Sequence, residues 1–283
     1  MTSNNHHQFQ ATSRRAFLQT SLAAAATAGL LPAATHSNHL RKKGIGMTLK
    51  NPAKIQTLKK LKAEWLYTWG TELPPNLPPT TNFVPMIWGY WGQDNHIRQT
   101  GEAAQKAGIK ELLGFNEPDQ KQQSNISVEK ALKKWPLLME TELRLGSPAC
   151  VHPDREWMKQ FMPAAKRKGL RVDFVCVHSY GGTDSEVFLK RMEKIHRLFG
   201  KPLWITEFAV GDWNAKSPQQ NRHKPEAVLR FMEKVLPALE KRDYVEKYAW
   251  FPASPTNNAL GTSALYKPNG ELTKLGKFYR DFH

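Results

Sequence analysis

Two cysteines in 283 residues, Cys150 and Cys176, leave no CxxC pair and no Cys/His spacing that could hold zinc. A disulfide-stapled scaffold and a zinc module are excluded. Cys176 lies inside an apolar run, so two buried thiols are expected, although an exported protein could oxidise them. No GxGxxG follows the first apolar run, which argues against a dinucleotide-binding fold. Repeats of solenoid length and low-complexity tracts are absent. Acidic residues are the scarcer sign, 25 against 41 basic, for a net charge of +16. Arginine-rich arms are missing too, and the lysines fall in amphipathic stretches such as AKRKG and EKALKKW. The charge therefore reads as solvated helix faces, and no nucleic-acid partner is expected.

Long hydrophobic runs are also missing. The longest, Ala16 to Leu31, is short for a membrane span, which needs about 20 residues. It follows SRRAFLQ, with Arg14 and Arg15 paired, and precedes the small-residue segment PAATHS. This pattern resembles a bacterial twin-arginine export signal. Residues 1–36 are expected to be that signal and a disordered leader, and 37–283 a single catalytic domain. The mature chain would be periplasmic or extracellular, with no stable membrane insertion. Removing Arg14 and Arg15 leaves a net charge of +14, which suits an anionic envelope or acidic polymer.

What remains alternates. Eight short apolar runs fall at 44–49, 63–70, 82–89, 111–118, 143–150, 172–180, 202–210 and 244–252. Most are continuously apolar, as strands buried on both faces should be. Amphipathic stretches of helical period separate most of them. The connection TELPPNLPPTT is too proline-rich for an ordinary helix. Eight strands with helices between them predict an α/β fold, a (β/α)8 TIM barrel lacking a regular helix between strands 2 and 3. A doubly wound sheet is the alternative.

In such a barrel the chemistry gathers at the C-terminal strand ends. Strand 4 ends in GFNEPD, bringing Asn116 and Glu117. Strand 7 ends in WITEFAV, bringing Glu207. Strand 6 ends in His178, Ser179 and Tyr180. Two carboxylates facing across one mouth are what glycosidic bond cleavage needs: one donates a proton, the other attacks the anomeric carbon. An amide beside the acid can hold a sugar hydroxyl, and indole faces can stack on sugar rings. Trp88, Trp91 and Trp250 are the expected platforms, with Trp69 and Trp213 left open. Trp65, Trp135, Trp157 and Trp204 are expected in the core.

GFNEPD and WITEFAV, together with FVPMIWG, VHSYGG and YAWFP, resemble glycoside hydrolase family 128, a family of β-1,3-glucanases. The likeness covers roughly residues 44–283. The Asn-Glu and Glu signatures on strands 4 and 7 are shared by the wider 4/7 superfamily of retaining glycosidases. The resemblance implies Glu117 as acid/base, Glu207 as nucleophile, and His178 and Tyr180 lining the site. Ser179 departs from the family pattern, where a bulkier residue is expected. A monomer cleaving β-glucan, with no metal or cofactor, is the expected protein. A catalytically silent glucan-binding protein, or a hydrolase of another envelope polysaccharide, is the competing reading.

Overall fold

The computed structural model describes residues 42–283 apart from residue 52. The expected export signal lies outside the described residues. Among the described residues, eight strands alternate with seven α-helices. The strands are β1 (Lys43–Gly46), β2 (Trp65–Tyr67), β3 (Asn82–Phe83), β4 (Glu111–Leu112), β5 (Arg144–Leu145), β6 (Val175–Gly181), β7 (Leu203–Val210) and β8 (Val245–Trp250). The helices are α1 (Ala53–Leu61), α2 (Asp94–Lys106), α3 (Val128–Met139), α4 (Glu156–Arg167), α5 (Ser185–Phe199), α6 (Pro225–Glu240) and α7 (Lys274–Asp281). No helix joins β2 to β3, as the prolines require.

Among the described residues all eight strands pair in parallel, and a lone antiparallel bridge joins Tyr266 to Leu272. One sheet runs β3-β2-β1-β8-β7-β6, and β4 pairs with β5. Isolated parallel bridges join Met86 to Leu113 and Gly146 to Phe174, linking the strand ends of the two sheets. Pairing therefore runs round the whole ring, the (β/α)8 arrangement expected. Among the described residues no helix is long and apolar enough to cross a membrane.

Two apolar layers make the core. Inside the ring sit Trp65, Tyr67, Met86, Leu113, Phe174 and Trp204. Outside it, helix faces pack on alternate strand residues such as Ile45, Leu66, Ile205 and Phe208. β1 shows why its sequence reads GIG. A Cβ on Gly44 would lie 2.1 Å from the Trp65 indole, and one on Gly46 2.7 Å from the Tyr67 ring. The two glycines clear the interior for bulky neighbours, while Ile45 faces the helices. Cys150 and Cys176 are buried, unpaired thiols.

The opposite end of the ring is closed by charge. Lys42 Nζ donates to the carbonyls of Leu239, Glu240 and Arg242 at the end of α6. Lys43 Nζ donates to those of Tyr279, Arg280 and Phe282 at the end of α7. Two adjacent lysines thus satisfy the orphan carbonyls of two helices and meet the negative ends of their dipoles. Burial holds both ammonium groups below the usual lysine range.

Candidate active site

At the C-terminal ends of the strands the chain stops packing apolar groups and gathers polar ones. Glu207 arrives there through an irregularity in β7. Cys176 is level with Trp204, and His178 is level with Glu207, so two steps along β6 match three along β7. Trp204 points into the barrel. Strict alternation from it would turn Glu207 outward. The extra residue restores Glu207 to the interior and leaves Phe208 outside against Phe188 and Trp250.

Glu117 arrives through backbone strain. Asn116 bridges Ala149 beyond the end of β4, and the Glu117 amide donates to the Ala149 carbonyl at 2.8 Å. Glu117 has φ of +41°, an unusual value for a non-glycine residue, and a proline follows it. Such a conformation costs on the order of 1–3 kcal/mol and persists only where the surroundings fix it. Asp119 helps to fix it by accepting from the backbone amides of Val151 and His152. Trp69, the other strained residue here, has φ of +58°.

The two acids meet around His178. Nδ1 lies 2.8 Å from Glu117 Oε1, and Nε2 lies 3.4 Å from Glu207 Oε1 without the alignment of a hydrogen bond. One oxygen from each acid and one ring nitrogen all lie within 4.8 Å of one another. Glu207 is almost fully buried and heavily tied. Tyr67 Oη and Trp69 Nε1 each donate to its Oε1 at 2.8 Å, and Tyr180 Oη donates to its Oε2. Burial, then the Glu207 charge, pushes both tyrosine hydroxyls well above the usual phenol range, so they remain donors. Burial pulls the His178 imidazole down, but Glu207 and Glu117 outweigh it and the net shift is upward. These three groups could approach a cation, yet Glu207 already accepts from two hydroxyls and an indole, and Glu117 Oε1 is paired with the His178 ring. We assign them no metal.

Asn116 is buried beside Glu117. Its Nδ2 donates to Gln123 Oε1 at 3.3 Å, and among the described residues its Oδ1 has no partner. One end of the amide is anchored and the other is free for a hydroxyl.

The aromatic walls differ in part from the expected set. Trp88 and Trp91 stack with centroids 5.6 Å apart and planes 17° apart. Trp91 is 67% exposed. Gly89 permits that fold-back, since a Cβ there would lie 2.5 Å from the Trp91 ring. A cleft of about 160 Å³ opens beside them, lined also by Trp69, Gln93 and His96. Trp250 is not a wall. It is fully buried, its Nε1 donates to the Ser263 carbonyl at 2.9 Å, and it packs on Phe208 and Phe231. The next residue, Phe251, faces the site instead, edge-on to Trp69 at 6.0 Å and to Tyr180 at 5.5 Å. Trp213, 64% exposed, stands edge-on to Tyr180. His178 is not a lining residue either: it has no accessible surface and contacts the acids.

Comparison with known proteins identifies the family. Residues 44–279 match the family model described as glycosyl hydrolase catalytic core. A subgroup I endo-β-1,3-glucanase of glycoside hydrolase family 128 from Amycolatopsis mediterranei, solved with laminaritriose, is 31% identical. The match has a TM-score of 0.72 and covers 85% of this chain and 98% of that one. A subgroup III curdlan-specific exo-β-1,3-glucanase from Blastomyces gilchristii, solved with glucose, is 29% identical, with a TM-score of 0.68 over 85% of this chain and 98% of its own. Alkali-sensitive linkage protein 1 of Schizosaccharomyces pombe is 28% identical over 76% of this chain, which spans only 39% of that relative. The chain belongs to the glycosyl hydrolase catalytic-core family and, within it, to glycoside hydrolase family 128.

Proposed function

We propose that this protein is a retaining endo-β-1,3-glucanase that works by double displacement, with Glu207 as nucleophile and Glu117 as acid/base. The observation that carries the reading is the approach of the two acids, with oxygens within 4.8 Å across the barrel mouth. Inverting enzymes keep their carboxyl groups roughly 6.5–9.5 Å apart to admit a water, whereas retaining enzymes hold them at about 5–5.5 Å. The solved relatives named for endo action on β-1,3-glucan support the substrate class.

The groups divide the work by their partners. Three donors keep Glu207 oriented toward the anomeric carbon. Glu117 donates a proton to the glycosidic oxygen as that C–O bond breaks and a bond from Glu207 to the sugar forms. The aglycone leaves. Glu117, now ionised, takes a proton from water, which attacks the same carbon and releases Glu207. The free end of the Asn116 amide holds the neighbouring sugar hydroxyl, a contact that strengthens as charge develops. Trp88, Trp91, Trp69, Phe251 and Trp213 supply faces for the sugar rings. The protein acts as a monomer after export by the twin-arginine route, in the periplasm or outside the cell.

Incubation with laminarin, mixed-linkage glucan, cellulose and peptidoglycan, followed by product analysis, tests the reading. Laminarin should yield a ladder of short oligosaccharides, and Glu117→Gln and Glu207→Gln should abolish it. Glucose as the sole early product would mean exo action, and binding without cleavage would mean a silent glucan-binding protein. The +14 charge favours one other reading, an anionic envelope glycan. Turnover of such a substrate would fall steeply with added salt, while turnover of neutral glucan would not.

A further inference from the structure

We infer that His178 is a positioning residue that works as an imidazolium, a fixed positive charge clamped between the acid/base and the nucleophile. The inference rests on the glycosidase reading of Glu117 and Glu207. Its geometric basis is that both ring nitrogens face carboxylate oxygens, Nδ1 at 2.8 Å from Glu117 and Nε2 at 3.4 Å from Glu207. A neutral imidazole has one N–H and one lone pair. With the Glu117 proton carried on Oε2, in either tautomer one of those two approaches would set a lone pair against a lone pair. Only the imidazolium offers a proton to both sides.

The surroundings agree. His178 is completely buried and has no water-facing edge on which to change its charge cheaply. The titratable groups acting on it are Glu117 and Asp119 beyond β4 and Glu207 on β7, all acids. The neutral groups at the site, Tyr67 on β2 and Tyr180 on β6, spend their hydroxyl protons on Glu207 and leave none for the ring. The balance of burial against these carboxylates is upward for the imidazole.

The clamp does two things. By holding Glu117 through Oε1, it leaves Oε2 as the oxygen that transfers protons to and from substrate. By placing one positive charge against both carboxyl groups, it favours the ionised form of each over the neutral form. Removing that charge lets each end of the pair take up a proton more readily. Both limbs of the pH–rate profile then move to higher pH. A His that merely fills space would change the height of the bell and leave its limbs in place.

Two measurements test this. The first is the ¹⁵N NMR spectrum of histidine-labelled parent protein, with the His178 signals identified by their loss in His178→Gln or by coupling within the folded parent. The expected result is two protonated ring nitrogens at neutral pH; one protonated and one bare nitrogen would overturn the inference. The second is kcat/KM against pH for the parent and His178→Gln. Both limbs should slide upward by about 1–3 pH units, the usual effect of an opposite charge in contact. A lower bell with unmoved limbs would overturn it. If the variant fails to fold, the parent's NMR spectrum decides alone. Failure of the parent to cleave glucan would strike at the glucanase reading, and the spectrum would still decide the charge of His178.

Discussion

Replacing Trp250 with alanine should unfold this protein at lower temperature without changing how the folded enzyme handles sugar. The indole is fully buried, packed between Phe208 and Phe231, and donates to the Ser263 carbonyl. Truncating a buried Trp to Ala costs about 3–5 kcal/mol through lost transfer energy and the cavity left behind. Each kcal/mol lowers Tm by about 2–4 °C in a domain of this size, so the loss should be roughly 6–20 °C. Trp250→Phe keeps most of the ring but leaves the Ser263 carbonyl without its donor, a loss of about 1–3 kcal/mol. Trp91→Ala is the control. It is two-thirds exposed and, among the described residues, stacks on Trp88 alone, so its stability cost should stay within about 0.5 kcal/mol. Calorimetry in the absence of sugar measures the first effect, and KM on laminari-oligosaccharides, taken well below Tm, measures the second. Trp250→Ala should lower Tm and spare KM; Trp91→Ala should do the reverse. A Trp250→Ala protein with unchanged Tm and a raised KM would refute the placement of that residue.

Three further outcomes follow from the site. Glu117→Gln should lower turnover of glucan by about 10²–10⁴, with much of the loss recovered on an activated aryl glycoside and with added azide; Glu207→Gln should be rescued by neither change. Tyr180→Phe should remove one charge-assisted donor from Glu207, costing about 1.5–3 kcal/mol of its anchoring, visible as a fall in kcat larger than any change in Tm. The stability of the fold should also depend on His178 in one direction. Its folded value is raised, so its contribution is fully present below about pH 6.5, the ordinary imidazole value, and is lost as pH rises through the folded value. The Tm difference between the parent and His178→Gln should therefore be largest in acid and shrink in alkali.

Much of this was legible in the chain. The apolar runs marked eight strands because both faces of a barrel strand are covered. The prolines between β2 and β3 excluded a helix there, and the strand ends marked both acids. Side-chain phase was the harder reading. At YAWF, either aromatic residue could face the site, and the expectation fell on Trp250. Ala249 lies inside the barrel, so alternation turns Trp250 outward and brings Phe251 in. The same period-two logic hides Tyr67, a main partner of Glu207: GIG beside WLYTW signals large rings at 65, 67 and 69 pointing across two small residues. The bulge in β7 had no such signal. Nothing in LWITEFAV says that one residue is extra, and without it Glu207 would face the helices. The burial of His178 was equally silent, because a histidine at a strand end serves a sugar or an acid equally well until its neighbours are placed.

In the proposed mechanism Glu207 attacks the sugar directly while Glu117 moves the protons. Proton NMR of the first product released from a laminari-oligosaccharide, recorded before mutarotation, tests it most directly. The expected product has a β-configured reducing end, the configuration of the bond that was cut. An α-configured first product would contradict it, because that configuration marks a single displacement by water.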